Sequence, residues 1–209
     1  MKSLKVLLLA VMLLPFLAGA QTLHISKKAH SVKPHAKNDS LVRGVSFEAF
    51  KQSVPVFLDS TKIFVAKKSW RLWKNEKWGQ LEHFFTVDSL NGGWPPNWGA
   101  ITLKIVTLDT VVLIDRYGGY YTADSTFHDK GKFVCKKGVP FAKRALPTST
   151  LKSPYRLYKI IKPIPAVKRG QIIPWFNEPG LGIQYELPYS IDDLKSGGYI
   201  VQVSSTPPK

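Results

Sequence analysis

Apolar and β-branched positions fall in short runs between turn residues over the second half of this chain. Residues 101–107 and 111–116 are dense in Ile, Val, Leu and Thr and meet at Leu108-Asp109-Thr110, the pattern of two strands joined by a turn. Similar runs predict strands at 132–135, 156–162, 182–187 and 199–203. Helical signals are fewer. Pro140 suits the first position of a short helix running to Leu146. Ser190 and Asp193 have the spacing of a capping box, and Gly197 is a stop signal. The expected fold is α+β and β-dominated: a compact antiparallel-sheet domain with few short helices.

Upstream, the pattern is mixed. Residues 54–58 and 62–66 resemble short strands flanking the polar Asp59-Ser60-Thr61 turn. Trp70, Trp73 and Trp78 follow, interleaved with Lys67, Lys68, Arg71, Lys74 and Lys77. That interleaving is the composition of a platform for single-stranded nucleic acid or glycan. The competing reading, favoured here, is an amphipathic element whose aromatics pack on the main domain. Asn91-Gly92-Gly93 marks a break. Residues 41–90 are therefore an extension without an assigned role, ahead of a domain at 91–209.

The first twenty residues read as a signal peptide. Lys2 and Lys5 precede an apolar run ending at Leu17, and Ala18-Gly19-Ala20 fits the small-residue cleavage rule. Cleavage near Ala20-Gln21 predicts a secreted or periplasmic protein. No later stretch has the length and apolarity of a membrane span. Residues 21–40 are polar and basic, with too few apolar groups to offset ordering entropy, which predicts a mobile leader. Three histidines fall there (His24, His30 and His35), but a flexible tail does not fix ligand geometry, so no metal site is assigned.

The single cysteine, Cys135, excludes an intramolecular disulfide and a multi-cysteine zinc site, and it reads as a small buried apolar residue. A formal net charge of +16 favours anionic partners without saying which. The usual catalytic signatures are missing: no nucleophile elbow, no phosphate-binding glycine loop, no histidine pair on a helix. His83 and His128 stand alone. An enzyme built from these residues works by positioning and electrostatics.

Polar residues instead cluster in punctuated segments. These are Trp94-Pro95-Pro96-Asn97, Asp115-Arg116-Tyr117-Gly118, Gly131-Lys132-Phe133, Pro140-Phe141 through Arg144-Ala145-Leu146, Lys162-Pro163-Ile164-Pro165, Pro174-Trp175-Phe176 and Gly182-Ile183-Gln184-Tyr185. Their order and content resemble the TNT family, named for the tuberculosis necrotizing toxin, over residues 91–203. The resemblance implies a secreted NAD(P) glycohydrolase, in the manner of a toxin, that gives nicotinamide and ADP-ribose. It implies no metal or cofactor, NAD being the substrate, and allows a neutralising immunity-type partner.

In that reaction the leaving nicotinamide is neutral and needs no general acid. The transition state has oxocarbenium character, as in other glycosyl cleavages. Arg116 and Arg144 match the two motif arginines, whose guanidinium forks suit a pyrophosphate. Gln184 matches the motif glutamine and is expected to hold a ribose hydroxyl or the attacking water. Tyr117 and Phe133 match the motif aromatics flanking the cationic ring; Tyr185 and Arg156 complete the expected substrate contacts. Trp94 and Trp175 read as scaffold.

Two features depart from the family pattern. Residues 119–130 form a longer connection, either a lid or an extended hairpin. Where some members carry a histidine, this chain reads Tyr155-Arg156-Leu157-Tyr158, so either Tyr155 or Arg156 takes the place or the role is dispensable. The alternative function is a catalytically inactive basic β-protein that binds polyanions, acidic glycan or nucleic acid, through the Trp70–Trp78 region; a nucleic-acid partner is the less favoured outcome.

Overall fold

A computed structural model describes residues 40–206 apart from Val111. The expected signal peptide and all but the last residue of the expected leader lie outside the described residues. The described residues fall in one compact unit.

The first elements are helical: α1 (Phe47–Gln52), α2 (Ile63–Lys74) and α3 (Trp78–Val87). The strands expected at 54–58 and 62–66 are instead a 3₁₀ turn, Pro55–Leu58, and the start of α2. Local chemistry explains the difference. Pro55 opens its turn with a preset φ. The Asp59 carboxylate accepts from the Thr61 N–H and caps the 3₁₀ turn that leads into α2. In α2 the buried positions are Ala66, Ser69 and Trp73, a helical period visible only when the window reaches the tryptophans.

These helices are part of the main core. Phe50, Val54, Phe57, Trp73, Leu81 and Phe85 pack in one cluster with Ile101, Cys135, Ile172, Ile173 and Trp175. Trp73 is fully buried, stacks on Trp70 with ring centroids 5.1 Å apart, and donates its indole N–H to Ala100 O at 3.3 Å. The tryptophans thus serve the core, as favoured above, and Trp73 offers no platform to a polyanion. Arg43 ties the layer to the sheet. Its guanidinium lies 4.3 Å over the Trp73 ring and donates to the carbonyls of Trp73 (2.8 Å) and Ile101 (3.1 Å). A cation at the exposed carbonyl end of α2 also complements the helix dipole.

Strands follow at β1 (Lys104–Leu108), β2 (Leu113–Tyr117), β3 (Tyr120–Tyr121), β4 (Phe127–His128), β5 (Phe133–Lys136), β6 (Tyr155–Ile160), β7 (Ile164–Gln171), β8 (Ile183–Glu186) and β9 (Ile200–Thr206). Seven of them form one antiparallel sheet in the order β1-β7-β8-β5-β2-β6-β9, and β3-β4 is a separate hairpin. The α+β class is as expected, with more helix than the pattern suggested. The unexpected strand is β7, which contains Pro165. The β1–β7 register shifts between Val106 and Leu108, and Ala166 has φ 57°, so the proline sits at a bulge where no ladder N–H is required. The face opposite the helical layer packs Ile114, Val134, Tyr158, Ile160 and Leu187 against α4 (Ile191–Ser196). α4 starts with the expected Ser190–Asp193 capping box.

Replacing Trp73 by Ala removes both its packing and its indole hydrogen bond. The expected cost is about 3–5 kcal/mol of unfolding free energy, read from urea denaturation.

Candidate functional site

Strand register builds the floor of the site. Gln184 on β8 pairs with Cys135 on β5, and Cys135 with Asp115 on β2, so the three side chains leave the same sheet face in a row. Above them opens a cavity of about 460 Å³. One wall is the Trp94–Gly99 turn, the other the segment from Arg144 to Leu146, and Ile172 and Ile173 close the back. That volume lies within the usual range for small-molecule sites, about 300–1,000 Å³.

The turn controls Gln184. Trp98 adopts φ 53°, and its carbonyl accepts from Gln184 Nε2 at 2.7 Å. A carbonyl only accepts, so the amide must present its NH2 to Trp98, leaving Oε1 as an acceptor for whatever occupies the cavity. The turn is itself pinned by the helical layer. Asn97 N–H donates to Ser53 Oγ at 2.6 Å, Ser53 Oγ donates to Phe50 O at 2.6 Å, and Asn97 Nδ2 donates to Ala100 O at 2.7 Å. Residues 41–90 therefore support the wall that orients Gln184.

Asp115 and Arg116 are neighbours of opposite charge, yet they do not pair, because successive strand residues face opposite ways. Asp115 is fully buried on the cavity side, with Arg144 Nη2 at 2.7 Å and a hydrogen bond from Tyr155 Oη at 2.7 Å. Arg144 also donates through Nε and Nη2 to Val139 O, at 3.0 and 2.9 Å. Burial and the Asp115 carboxylate push the Tyr155 phenol well above its ordinary range. Of the two candidates for the missing histidine's place, Tyr155 lies on the cavity side of β6 and Arg156 on the reverse.

Arg116 starts on that reverse face and reaches the cavity by a gap. The β2–β5 pairing ends at Asp115–Cys135, and Arg116 Nη1 donates instead to Phe133 O at 3.3 Å. Its Nε lies 3.0 Å from Asp129 Oδ2 in an ion pair that is not an aligned hydrogen bond. Strand alternation excludes Asp115 as its partner, and Asp124 is engaged by Thr122 and Thr126 in its own turn. Asp129 is fully buried, and desolvation raises its carboxyl pKa against the opposing pull of Arg116. The guanidinium slips between Gly118 and Gly131, where a Cβ on either residue would overlap it.

Aromatic rings frame the mouth. Phe133 is 38% exposed and Trp98 52%, with centroids 6.4 Å apart, and Trp94 is packed edge-on against Phe176 at 5.0 Å. Trp94 and Trp98 line the cavity, a role not assigned from the sequence, since nothing there showed that the turn holds Trp98 with positive φ. Trp175 is scaffold: buried, with its indole N–H on Gly93 O at 2.8 Å. Tyr117 also lines the cavity, its ring 4.9 Å from Tyr155. Among the described residues no group of three or more His, Cys, Asp or Glu is arranged to hold a metal ion.

Two expected substrate contacts lie elsewhere. Tyr185 follows Gln184 on β8 and so faces the opposite core. Arg156 is buried behind the sheet, donating to Tyr121 Oη at 2.7 Å and lying 4.0 Å over the Phe127 ring. It anchors the 119–130 insertion, which is the β3–β4 hairpin.

The fold and cavity define an α+β domain with a concave, largely apolar pocket into which a few polar side chains converge. Residues 107–203 match the family model described as Tuberculosis necrotizing toxin. The conidial surface nicotinamide adenine dinucleotide glycohydrolase nadA of Aspergillus fumigatus is 31% identical over 101 residues, which cover 45% of this chain and 39% of that protein. The chain thus spans well under half of that relative's length. A solved structure of tuberculosis necrotizing toxin complexed with its immunity factor IFT is 23% identical, with a TM-score of 0.41, covering 53% of this chain and 61% of that one.

Gly131→Ala should be destabilising by about 1–3 kcal/mol in urea unfolding, because the methyl displaces the Arg116 guanidinium. Gly79→Ala, in α3 with nothing within 4 Å of the new Cβ, should raise stability by about 0.5–1 kcal/mol. Burial also pushes the Cys135 thiol up to about 11. Native protein at pH ~8 should therefore resist iodoacetamide and become alkylated on unfolding, as mass spectrometry would show.

Proposed function

We propose that this cavity binds NAD, and NADP as well, and hydrolyses the bond between nicotinamide and ribose. The observation that carries the reading is the meeting of Arg116, Arg144 and Gln184 on one cavity from three separate parts of the chain. The TNT-family match and the glycohydrolase relative support it.

In the proposed reaction the C1′–N bond breaks and its electron pair leaves with neutral nicotinamide. A water oxygen bonds to C1′, and its surplus proton passes to solvent, giving nicotinamide and ADP-ribose. Arg116 and Arg144 hold the diphosphate. Among the described residues, Arg116 Nη2 and Arg144 Nη1 have no protein hydrogen-bond partner, while Asp129 and Asp115 fix the planes of the two groups. Gln184 Oε1 accepts from the attacking water or a ribose hydroxyl. Phe133, Tyr117 and Trp98 give the cationic pyridinium aromatic faces before cleavage. Charge placed in advance, rather than a titrating acid, lowers the barrier.

Export through the leader at 1–20 and action as a toxin complete the proposal. Loss of NAD harms any cell that makes such an enzyme, which gives a neutralising partner protein a purpose.

Purified protein incubated with NAD should release free nicotinamide and ADP-ribose by chromatography; intact NAD would count against the reading. Gln184→Glu places an oxygen against the Trp98 carbonyl, and it should lower kcat at least ~100-fold while costing only about 1–3 kcal/mol of unfolding free energy. Full turnover in that variant would overturn the role given to Gln184. Because no group assigned to the chemistry titrates near neutrality, kcat should be flat from pH ~6 to ~8. A bell-shaped profile in that window would point to an unassigned acid or base.

A further inference from the structure

The exposed face of α2 has a composition that neither the core nor the cavity explains. Its exposed residues are Phe64, Lys67, Lys68, Arg71 and Lys74, which share one helical face, and α2 contains no acidic residue. Lys62 adds a further exposed cation just before the helix. Phe64 is 80% exposed, an unusual state for a phenylalanine beside lysines. Lys68 Nζ lies 3.7 Å over the Phe84 ring, and Leu72 and Gln80 line the same α2–α3 groove, so the two helices run antiparallel. Phe64 is thus an exposed ring in the first turn of α2, at the start of a basic stripe.

We propose that this face docks the protein on an anionic phospholipid surface, with the Phe64 end entering the headgroup–acyl boundary and the cations of α2 lying over the headgroups. Basic residues on one helix face with an exposed aromatic are the ingredients of an interfacial helix. A nucleic acid fits less well. Trp73 is buried and Trp70 stacks on it, so the face offers one exposed ring, Phe64, and no row of rings for successive bases. A membrane needs no shape complementarity from a convex helix. The nearby carboxylates leave the stripe net basic: Glu76 is engaged by Arg43 at 3.3 Å, Asp59 caps its own turn by accepting from the Thr61 N–H, and Asp88, which lines the α2–α3 groove with Lys68, offsets one of the cations.

The test is co-sedimentation of the full-length purified protein with vesicles of phosphatidylcholine alone, or mixed with phosphatidylglycerol. Binding is expected to the mixed vesicles only and to weaken steeply with salt. Replacing Lys67, Lys68, Arg71 and Lys74 together by Gln should weaken it at least ~100-fold, about fivefold for each cation. Phe64→Ser should cost about tenfold, with the salt dependence retained. Both variants lie outside the cavity, and thermal unfolding checks that they fold. No binding to mixed vesicles, equal binding to both lipids, or unchanged binding by the two variants would overturn the proposal. So would tighter, equally variant-sensitive binding to single-stranded DNA. NAD hydrolysis is not the readout, so the membrane result stands apart from the proposed reaction.

Discussion

Two ion pairs set back to back across β2 hold the site together. Asp115 and Arg116 are consecutive, and strand alternation sends their charges to opposite faces. Asp115, fully buried, secures Arg144 at 2.7 Å and so fixes the segment that roofs the cavity. Arg116 is held by buried Asp129 at 3.0 Å and so fixes the foot of the β3–β4 hairpin. Removing one partner of such a pair leaves an uncompensated buried charge, typically at a cost of ~3–5 kcal/mol. The cost is greater than for an exposed pair because little water is present to screen what remains. One dipeptide therefore locks two distant loops and brings two cations to one opening.

The helical layer serves the same end by other means. It contributes large aromatics to the core, and through Ser53 it fixes the turn whose carbonyl orients Gln184. A side-chain amide is weakly directional unless one end is committed, and here the Trp98 carbonyl commits the NH2. The free oxygen is thus aimed before any ligand arrives, which is how a neutral group contributes without changing protonation. Packing in the helices in this way sets the orientation of a polar group at the cavity floor.

Much of the sheet was legible because β-branched runs and turn residues give a local signal. The strands around Ile114, Leu157 and Gln184 follow directly from it. β7 was hidden because Pro165 looks incompatible with a ladder until a bulge accommodates it. α2 was misread because Val65 and Ala66 fit a strand locally, and only the period reaching Trp73 reveals the helix. In the site, motif order identified Arg116, Arg144 and Gln184, which line one cavity. The period of two separates Asp115 from Arg116 and Gln184 from Tyr185. Trp98 and Asp129 carried no comparable signal, since a positive φ and a partner thirteen residues away arise from tertiary packing.

The central claim is that a dinucleotide's phosphates sit between the two guanidinium groups with its ribose facing Gln184. A crystal structure with ADP-ribose bound tests this most directly. The account predicts diphosphate density within hydrogen-bond distance of Arg116 Nη2 and Arg144 Nη1, and the ribose next to Gln184 Oε1. Density for the ligand on another surface, with this cavity empty at saturating concentration, would contradict it.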